Sequence, residues 1–216
     1  MMKEKVICKY KAVSFDIFDT LVERNVDIPE DIFKKVGERI LGKETAESFC
    51  VQRKSSEKEA RRMQDSGEVS LDQIYAKLGS FYDEQTINLL KKTEIKTEIE
   101  SCYKKKSTQE WYNICLKLNK DIYLISDMYL PYEVIGEILK SCGIYGYKKL
   151  YISNVYGKNK ITGELFGIVL SENNLKANEI MHIGDSIRAD FIGAYKAGIK
   201  SHLIKRKNRM GRLIHL

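Results

Sequence analysis

Short apolar runs that end in polar residues recur along this chain and predict a set of buried strands. The first run covers residues 12–15 and is followed at once by Asp16. Unbroken apolar runs with β-branched and aromatic members are typical of strands that are covered on both faces. Further strands are expected at 122–125, 150–152, 180–183 and 201–204.

Apolar residues at helical spacing separate the first two strands. Capping residues predict helix starts at 27–30, where Pro29 would lie in the first turn, and at 70–73. Two longer helices are expected at 44–64 and 83–103. The segment between the first two strands therefore forms a helical insertion.

Beyond the insertion, strands alternate with helices, which predicts an α/β fold built on a doubly wound parallel sheet. We assign residues 1–24 and 107–216 to the α/β core domain. Residues 25–106 form the inserted helical domain.

The composition narrows the class of protein. Net charge is +7, from 37 Lys and Arg against 30 Asp and Glu. Basic runs at 104–106 and 205–212 are interpreted as solvated surface, and nucleic acid is not expected as a partner because the sequence has no motif for it.

No apolar run approaches the roughly 20 residues that span a membrane, and no signal peptide is recognised. Five scattered cysteines without paired metal-ligand spacing indicate a reduced, cytoplasmic protein, whose oligomeric state the sequence leaves open.

Acidic, hydroxyl and lysine side chains follow four of the predicted strands. Since the carboxyl ends of parallel strands meet at one edge of a sheet, where open α/β folds bind ligands, we expect these side chains to converge. In chain order they are Asp16, Ser126, a loop with Lys158 and Lys160, and Gly184-Asp185-Ser186 with Asp190.

The order and spacing of these motifs resemble the haloacid dehalogenase (HAD) superfamily over nearly the whole chain. The first motif, FDIFDTL, is similar to that of a bacterial HAD-like group. Asp16 matches the family's nucleophile, Ser126 its second motif, Lys160 its third, and Asp185 with Asp190 its fourth. Lys160 is preferred to Lys158 because its distance to Phe166 fits the family's spacing. The resemblance implies a HAD-like Rossmannoid core, with residues 25–106 as a helical cap that closes over the site.

The resemblance further implies a Mg²⁺-dependent phosphatase that acts on a small phosphorylated metabolite through an aspartyl-phosphate. Its metal ligands would be Asp16, Asp185 and the backbone carbonyl of Phe18, with Asp190 binding through water. Two close aspartates repel each other, and a hard cation with oxygen ligands relieves that repulsion. Lys160 and Ser126 would contact the transferring phosphoryl group.

The chain departs from the family's phosphatases at one position. They carry a second Asp two residues after the nucleophile as general acid and base, whereas this chain has Phe18 there and an acid at Asp19. Asp19 either replaces the missing group or caps the loop. Dehalogenases of the superfamily also have an aromatic residue at this position. A dehalogenase-like hydrolase and a catalytically weak module that binds a phospho-ligand or a partner therefore remain alternatives.

Three further residues near the motifs are given structural roles. Asp127 is expected to cap the turn at 128–132, and it is left out of the site. Hinges of the insertion are expected at 21–26 and 104–108. Arg24 is interpreted as a solvated arginine, although it could reach substrate from the first of these hinges. His182 is interpreted as a core histidine that is hydrogen bonded to the backbone.

Overall fold

The computed structural model describes residues 2–205 and contains a five-stranded parallel sheet. Its strands are β1 (Ala12–Phe15), β4 (Asp121–Ser126), β5 (Lys149–Ile152), β6 (Ile180–Gly184) and β7 (Lys200–Leu203). Their order in space is β5-β4-β1-β6-β7. The central strand β1 pairs with β4 and β6, so that Phe15 lies beside Leu124 and Ile183.

Both faces of the sheet are covered over β1, β4, β5 and β6, because residues of each of these strands enter two different apolar clusters. On β4, Ile122 and Leu124 belong to one cluster, whereas Tyr123 and Ile125 belong to the other. The predicted α/β fold with a doubly wound parallel sheet is therefore confirmed. The covering helices are α1 (Met2–Ile7), α6 (Gln109–Lys117), α7 (Tyr132–Ser141), α8 (Ser153–Tyr156), α9 (Glu164–Glu172) and α10 (Gly193–Lys196).

The helical insertion leaves and re-enters the core through a two-stranded antiparallel ribbon that the sequence does not predict. It consists of β2 (Val22–Arg24) and β3 (Cys102–Lys104). Between them lie α2 (Asp31–Ile40), α3 (Lys43–Arg62), α4 (Leu71–Lys77) and α5 (Glu84–Ser101). The hinge segments expected at 21–26 and 104–108 are thus hydrogen bonded to each other, because Val22 pairs with Lys104 and the Lys105 amide donates to the Leu21 carbonyl.

Of the two helix starts predicted from capping residues, one agrees with the structure and one does not. Ser70 and Gln73 form the expected capping box at α4. The start expected at 27–30 is wrong, because α2 begins only at Asp31, whose carboxylate accepts a hydrogen bond from the Ile28 amide. A residue that precedes proline disfavours the helical conformation, which explains why Ile28 lies outside the helix.

In the part of the chain that is described, no helix has both the length and the apolar surface to cross a membrane. Most of the basic run predicted at 205–212, from residue 206 onward, lies outside the described residues.

Candidate active site at the carboxyl edge of the sheet

The sheet brings Asp16 and the distant Lys160 and Asp190 together. The Lys160 ammonium lies 2.5 Å from Asp16 Oδ1 and 2.6 Å from Asp190 Oδ1. All three residues are buried, with at most 6% exposure. The side chains are therefore held by one another rather than by solvent, which strengthens their electrostatic interactions.

Asp185 completes a cluster of carboxylates. One oxygen from each of Asp16, Asp185 and Asp190 lies within 4.8 Å of the others. Thr20, from the first motif, donates to Asp185 Oδ1 at 3.5 Å. Ser126 is buried at the end of β4, which is adjacent to β1 at the same edge of the sheet. The structure thus brings the first, third and fourth motifs into contact, and Ser126 lies at the end of the strand beside β1.

Asp190 organises the loop that carries Asp185. Its Oδ2 accepts hydrogen bonds from the backbone amides of Asp185 at 3.0 Å and Ser186 at 2.8 Å. A Cβ on Gly184 would lie 2.3 Å from the Asp190 carboxyl carbon, so only glycine leaves room for this contact. With Oδ1 bonded to Lys160, both oxygens of Asp190 have protein donors, which suits contact with a metal through water.

Two contacts that the sequence does not predict hold the loop that carries Lys160. Asp127 accepts from the Lys160 amide at 2.9 Å, so the expectation that it caps the following turn is wrong. Gly193 packs so closely that a Cβ there would lie 1.9 Å from the Lys160 carbonyl oxygen. Lys158, the other candidate for the third motif, is exposed and pairs with Glu164.

His182 is a buried core histidine, as expected, but side chains and not the backbone provide its partners. Its Nδ1 lies 2.9 Å from Ser14 Oγ and its Nε2 lies 3.1 Å from Asp190 Oδ1. Burial lowers the pKa of His182. It therefore serves as a neutral support behind Asp190. Its position on a strand of the sheet, two residues before Gly184, was the signal available in the sequence.

At the position of the missing acid, the half-buried Phe18 ring packs against a guanidinium. The Arg24 Cζ lies 4.1 Å from the centroid of that ring. The interpretation of Arg24 as solvated is wrong, because it is 6% exposed and its Nε donates to Glu98 at 2.7 Å. Asp19 adopts a left-handed backbone with φ of 61° in the turn that follows Phe18.

A cavity of about 490 Å³ lies between the helical insertion and the loop after β4. Arg24 and Asp127 contribute to its wall beside the candidate site, and Lys54 and Lys58 of α3 contribute from the insertion. The space is large enough for a small metabolite.

The charges of the cluster fit a divalent cation. With all three carboxylates ionised, the Lys160 ammonium would leave two negative charges uncompensated in a buried site. Burial, together with the neighbouring Asp190 and Asp185 and against the effect of Lys160, raises the pKa of Asp16 to about 8. Although burial opposes it, Lys160 and His182 hold the pKa of Asp190 well below its ordinary value. A hard cation with oxygen ligands matches this set of donors.

No protein-family model matches the sequence, and no curated protein matches it. Solved structures do match the fold. The Bacillus subtilis protein YfnB, named as a HAD hydrolase and solved with bound magnesium, is 19% identical with a TM-score of 0.62, over 91% of this chain and 89% of that chain. A 2-haloacid dehalogenase from Pseudomonas syringae pv. tomato is 17% identical with a TM-score of 0.60, over 89% and 85%.

A third match is a Haemophilus somnus protein named as a predicted phosphoglycolate phosphatase. It is 13% identical with a TM-score of 0.55, over 89% of this chain and 84% of that chain. The fold predicted from the motifs is thus confirmed, and the proteins that share it include phosphatases and dehalogenases.

Proposed function

We propose that this chain, which has the fold of the HAD-like hydrolases, is a Mg²⁺-dependent phosphohydrolase for a small phosphorylated metabolite. The observation that carries the proposal is the bridge from Lys160 to both Asp16 and Asp190, with Asp185 beside them at one sheet edge. A nucleophile, a fixed cation and a set of metal-ligand oxygens are the groups that phosphoryl transfer requires.

Asp16 acts as the nucleophile. Its carboxylate attacks phosphorus in line with the leaving oxygen, and water hydrolyses the resulting aspartyl-phosphate. Lys160, 2.5 Å from Asp16, favours the ionised nucleophile and balances the charge of the transferring phosphoryl group. Ser126 donates its hydroxyl to a phosphate oxygen.

Asp16, Asp185 and the backbone carbonyl of Phe18 would hold Mg²⁺, with Asp190 contacting it through water. The bound ion would neutralise the negative charge shared by the carboxylates and the phosphate. The likeness of this chain's fold to that of a magnesium-bound protein supports this choice of cation.

The helical insertion, residues 25–106, is proposed as a cap that selects the substrate. The cavity beneath it has walls from α2, α3 and the loop after β4, next to the Arg24 guanidinium that packs on Phe18. A bound metabolite would place its phosphate at Asp16 and its remaining atoms in this cavity. Exclusion of water by such a cap strengthens the charge interactions in the site.

Assay of the purified protein on an aryl phosphate, with and without Mg²⁺, tests the proposal. Asp16→Asn provides the blank, because it keeps the size of the side chain and removes the nucleophile. Mg²⁺-dependent release of phosphate by the wild type alone is expected. Equal rates for both proteins under both conditions would refute the phosphatase.

Phe18 favours one second candidate, a dehalogenase-like hydrolase that uses the same Asp16. Halide leaves without a proton, so an aromatic residue can take the place of a general acid. Halide release from a short haloacid that persists with a chelator would support this activity over the phosphatase. Phosphate binding without any turnover would instead indicate a phospho-ligand-binding module.

A further inference from the structure

The basic run at 104–106 is not the uniform solvated surface that the sequence analysis expects. Lys106 is exposed, whereas Lys105 is only 5% exposed. The Lys105 ammonium donates to the carbonyl of Asp19 at 2.5 Å and to that of Lys205 at 3.2 Å, and it lies 3.7 Å from Glu23 Oε1. Since a buried ammonium is costly without such partners, these acceptors fix its position.

Residues 105–108 bind three successive carbonyls of the first-motif turn. The Lys105 side chain binds the carbonyl of Asp19, and its backbone amide donates to Leu21 at 2.8 Å. Between them, the Thr108 hydroxyl donates to the carbonyl of Thr20. The outer side of the turn is therefore satisfied by a segment more than 80 residues away in sequence.

The turn also has inner hydrogen bonds, which end on carbonyls other than the three that residues 105–108 bind. The Ile17 carbonyl accepts from the amides of Leu21 and Val22 at 2.8 and 2.9 Å, and the Asp19 amide donates to Val22 at 2.7 Å. The left-handed conformation of Asp19, which a residue with a Cβ rarely adopts, needs support from its surroundings. Lys105 provides that support directly.

We propose that Lys105 is a positioning residue that orders the turn carrying Phe18 and Thr20. This inference rests on the proposed function, in which the Phe18 carbonyl contacts the metal. Thr20, on the other side of Asp19, donates to Asp185 at 3.5 Å, so a shift of the turn moves groups on both sides of the site. Because Lys105 directly follows β3, the return of the chain from the insertion sets the geometry of the turn.

Lys105→Met and Lys106→Met form a matched pair, since both remove one ammonium from adjacent residues. Hydrogen exchange followed by NMR reports on the turn without any assay of function. In Lys105→Met we expect the amides of Asp19, Leu21 and Val22 to exchange at least about tenfold faster than in Lys106→Met. Lys105→Arg, which keeps a donor, is expected to restore part of the protection.

The same variants are then assayed with Mg²⁺ and an aryl phosphate, and Mg²⁺ binding is measured by calorimetry. A displaced turn predicts a fall of about 10–100-fold in kcat with little change in KM, together with weaker Mg²⁺ binding. Lys106→Met is expected to match the wild type in every measurement.

Unchanged exchange in Lys105→Met, or faster exchange with unchanged kcat and Mg²⁺ binding, would overturn the inference. If Lys105→Met does not fold, Thr108→Val replaces it, because it removes one donor to the turn and retains the volume of the side chain. A wild type that neither binds Mg²⁺ nor hydrolyses phosphate refutes the proposed function instead, and exchange still decides whether Lys105 orders the turn.

Discussion

The guanidinium of Arg24 lies over the ring of Phe18, with Cζ 4.1 Å from the ring centroid. An apolar ring thus fills the position where phosphatases of the resembled family carry a general acid. A leaving group at this position receives no proton from residue 18.

We therefore expect the protein to hydrolyse aryl phosphates about 10²–10⁴ times faster than alkyl phosphates, because only the aryl oxygen leaves readily without general acid catalysis. Steady-state kcat/KM on a matched pair of substrates measures the ratio. Phe18→Asp is expected to lower the ratio and Phe18→Leu to preserve it. A wild type that treats both substrates alike would show that another group, such as Asp19, supplies the proton.

Lys160→Met is expected to reduce both stability and turnover. It leaves two buried carboxylates without their ammonium, and loss of one partner from a buried ion pair costs about 3–5 kcal/mol. Turnover of an aryl phosphate should fall about 10²–10³-fold. Lys158→Met is the control, because Lys158 lies in the same loop but is exposed. Urea unfolding and kcat that change equally in the two variants would contradict the role of Lys160.

Stabilisation by Mg²⁺ should increase with pH. The pKa of Asp16 rises from an ordinary 3.8 to about 8 in the metal-free fold, so its contribution to stability is complete below about 4 and is lost as pH rises to 8. Asp190, whose pKa is lowered, is ionised throughout this range and adds no change. Because Mg²⁺ competes with the proton on Asp16, it should raise Tm more at pH 8.5 than at pH 6. An Asp16→Asn protein should lose this difference. If Mg²⁺ raised the Tm of the wild type equally at both pH values, the prediction would be wrong.

The Arg24–Glu98 pair joins the ribbon strand β2 to α5 and is almost completely buried. Arg24→Met leaves the Glu98 carboxylate without its partner and should lower the free energy of unfolding by about 3–5 kcal/mol. The double variant with Glu98→Leu should recover much of that loss. Arg39→Met tests a pair on the exposed side of α5, where Arg39 meets Glu100 at 3.1 Å, and should change stability little. Urea titrations of the four proteins decide between these outcomes.

The sequence predicts the sheet and the four strand-end motifs because their signals are local. The apolar run at 12–15 coincides with β1, and the spacing of the resembled family favoured Lys160 over Lys158. The ribbon strands could not be predicted, since each has only three residues and forms by pairing with a distant segment.

The contacts that support the site could not be predicted for the same reason. Arg24 and Lys105 look like surface residues in sequence, and their burial depends on acceptors 74 and 86 residues away. The contact of Asp127 with the Lys160 amide likewise joins two loops that only the folded sheet brings together.

The proposed hydrolase requires Asp16 and Asp185 to share one cation, and calorimetric titration of Mg²⁺ at pH 8 measures this binding. Asp121→Asn serves as the control, since Asp121 is exposed at the opposite end of β4. We expect one Mg²⁺ per chain in the wild type and in Asp121→Asn, and loss of binding in both Asp16→Asn and Asp185→Asn. Undiminished binding in either of the last two variants would contradict this expectation.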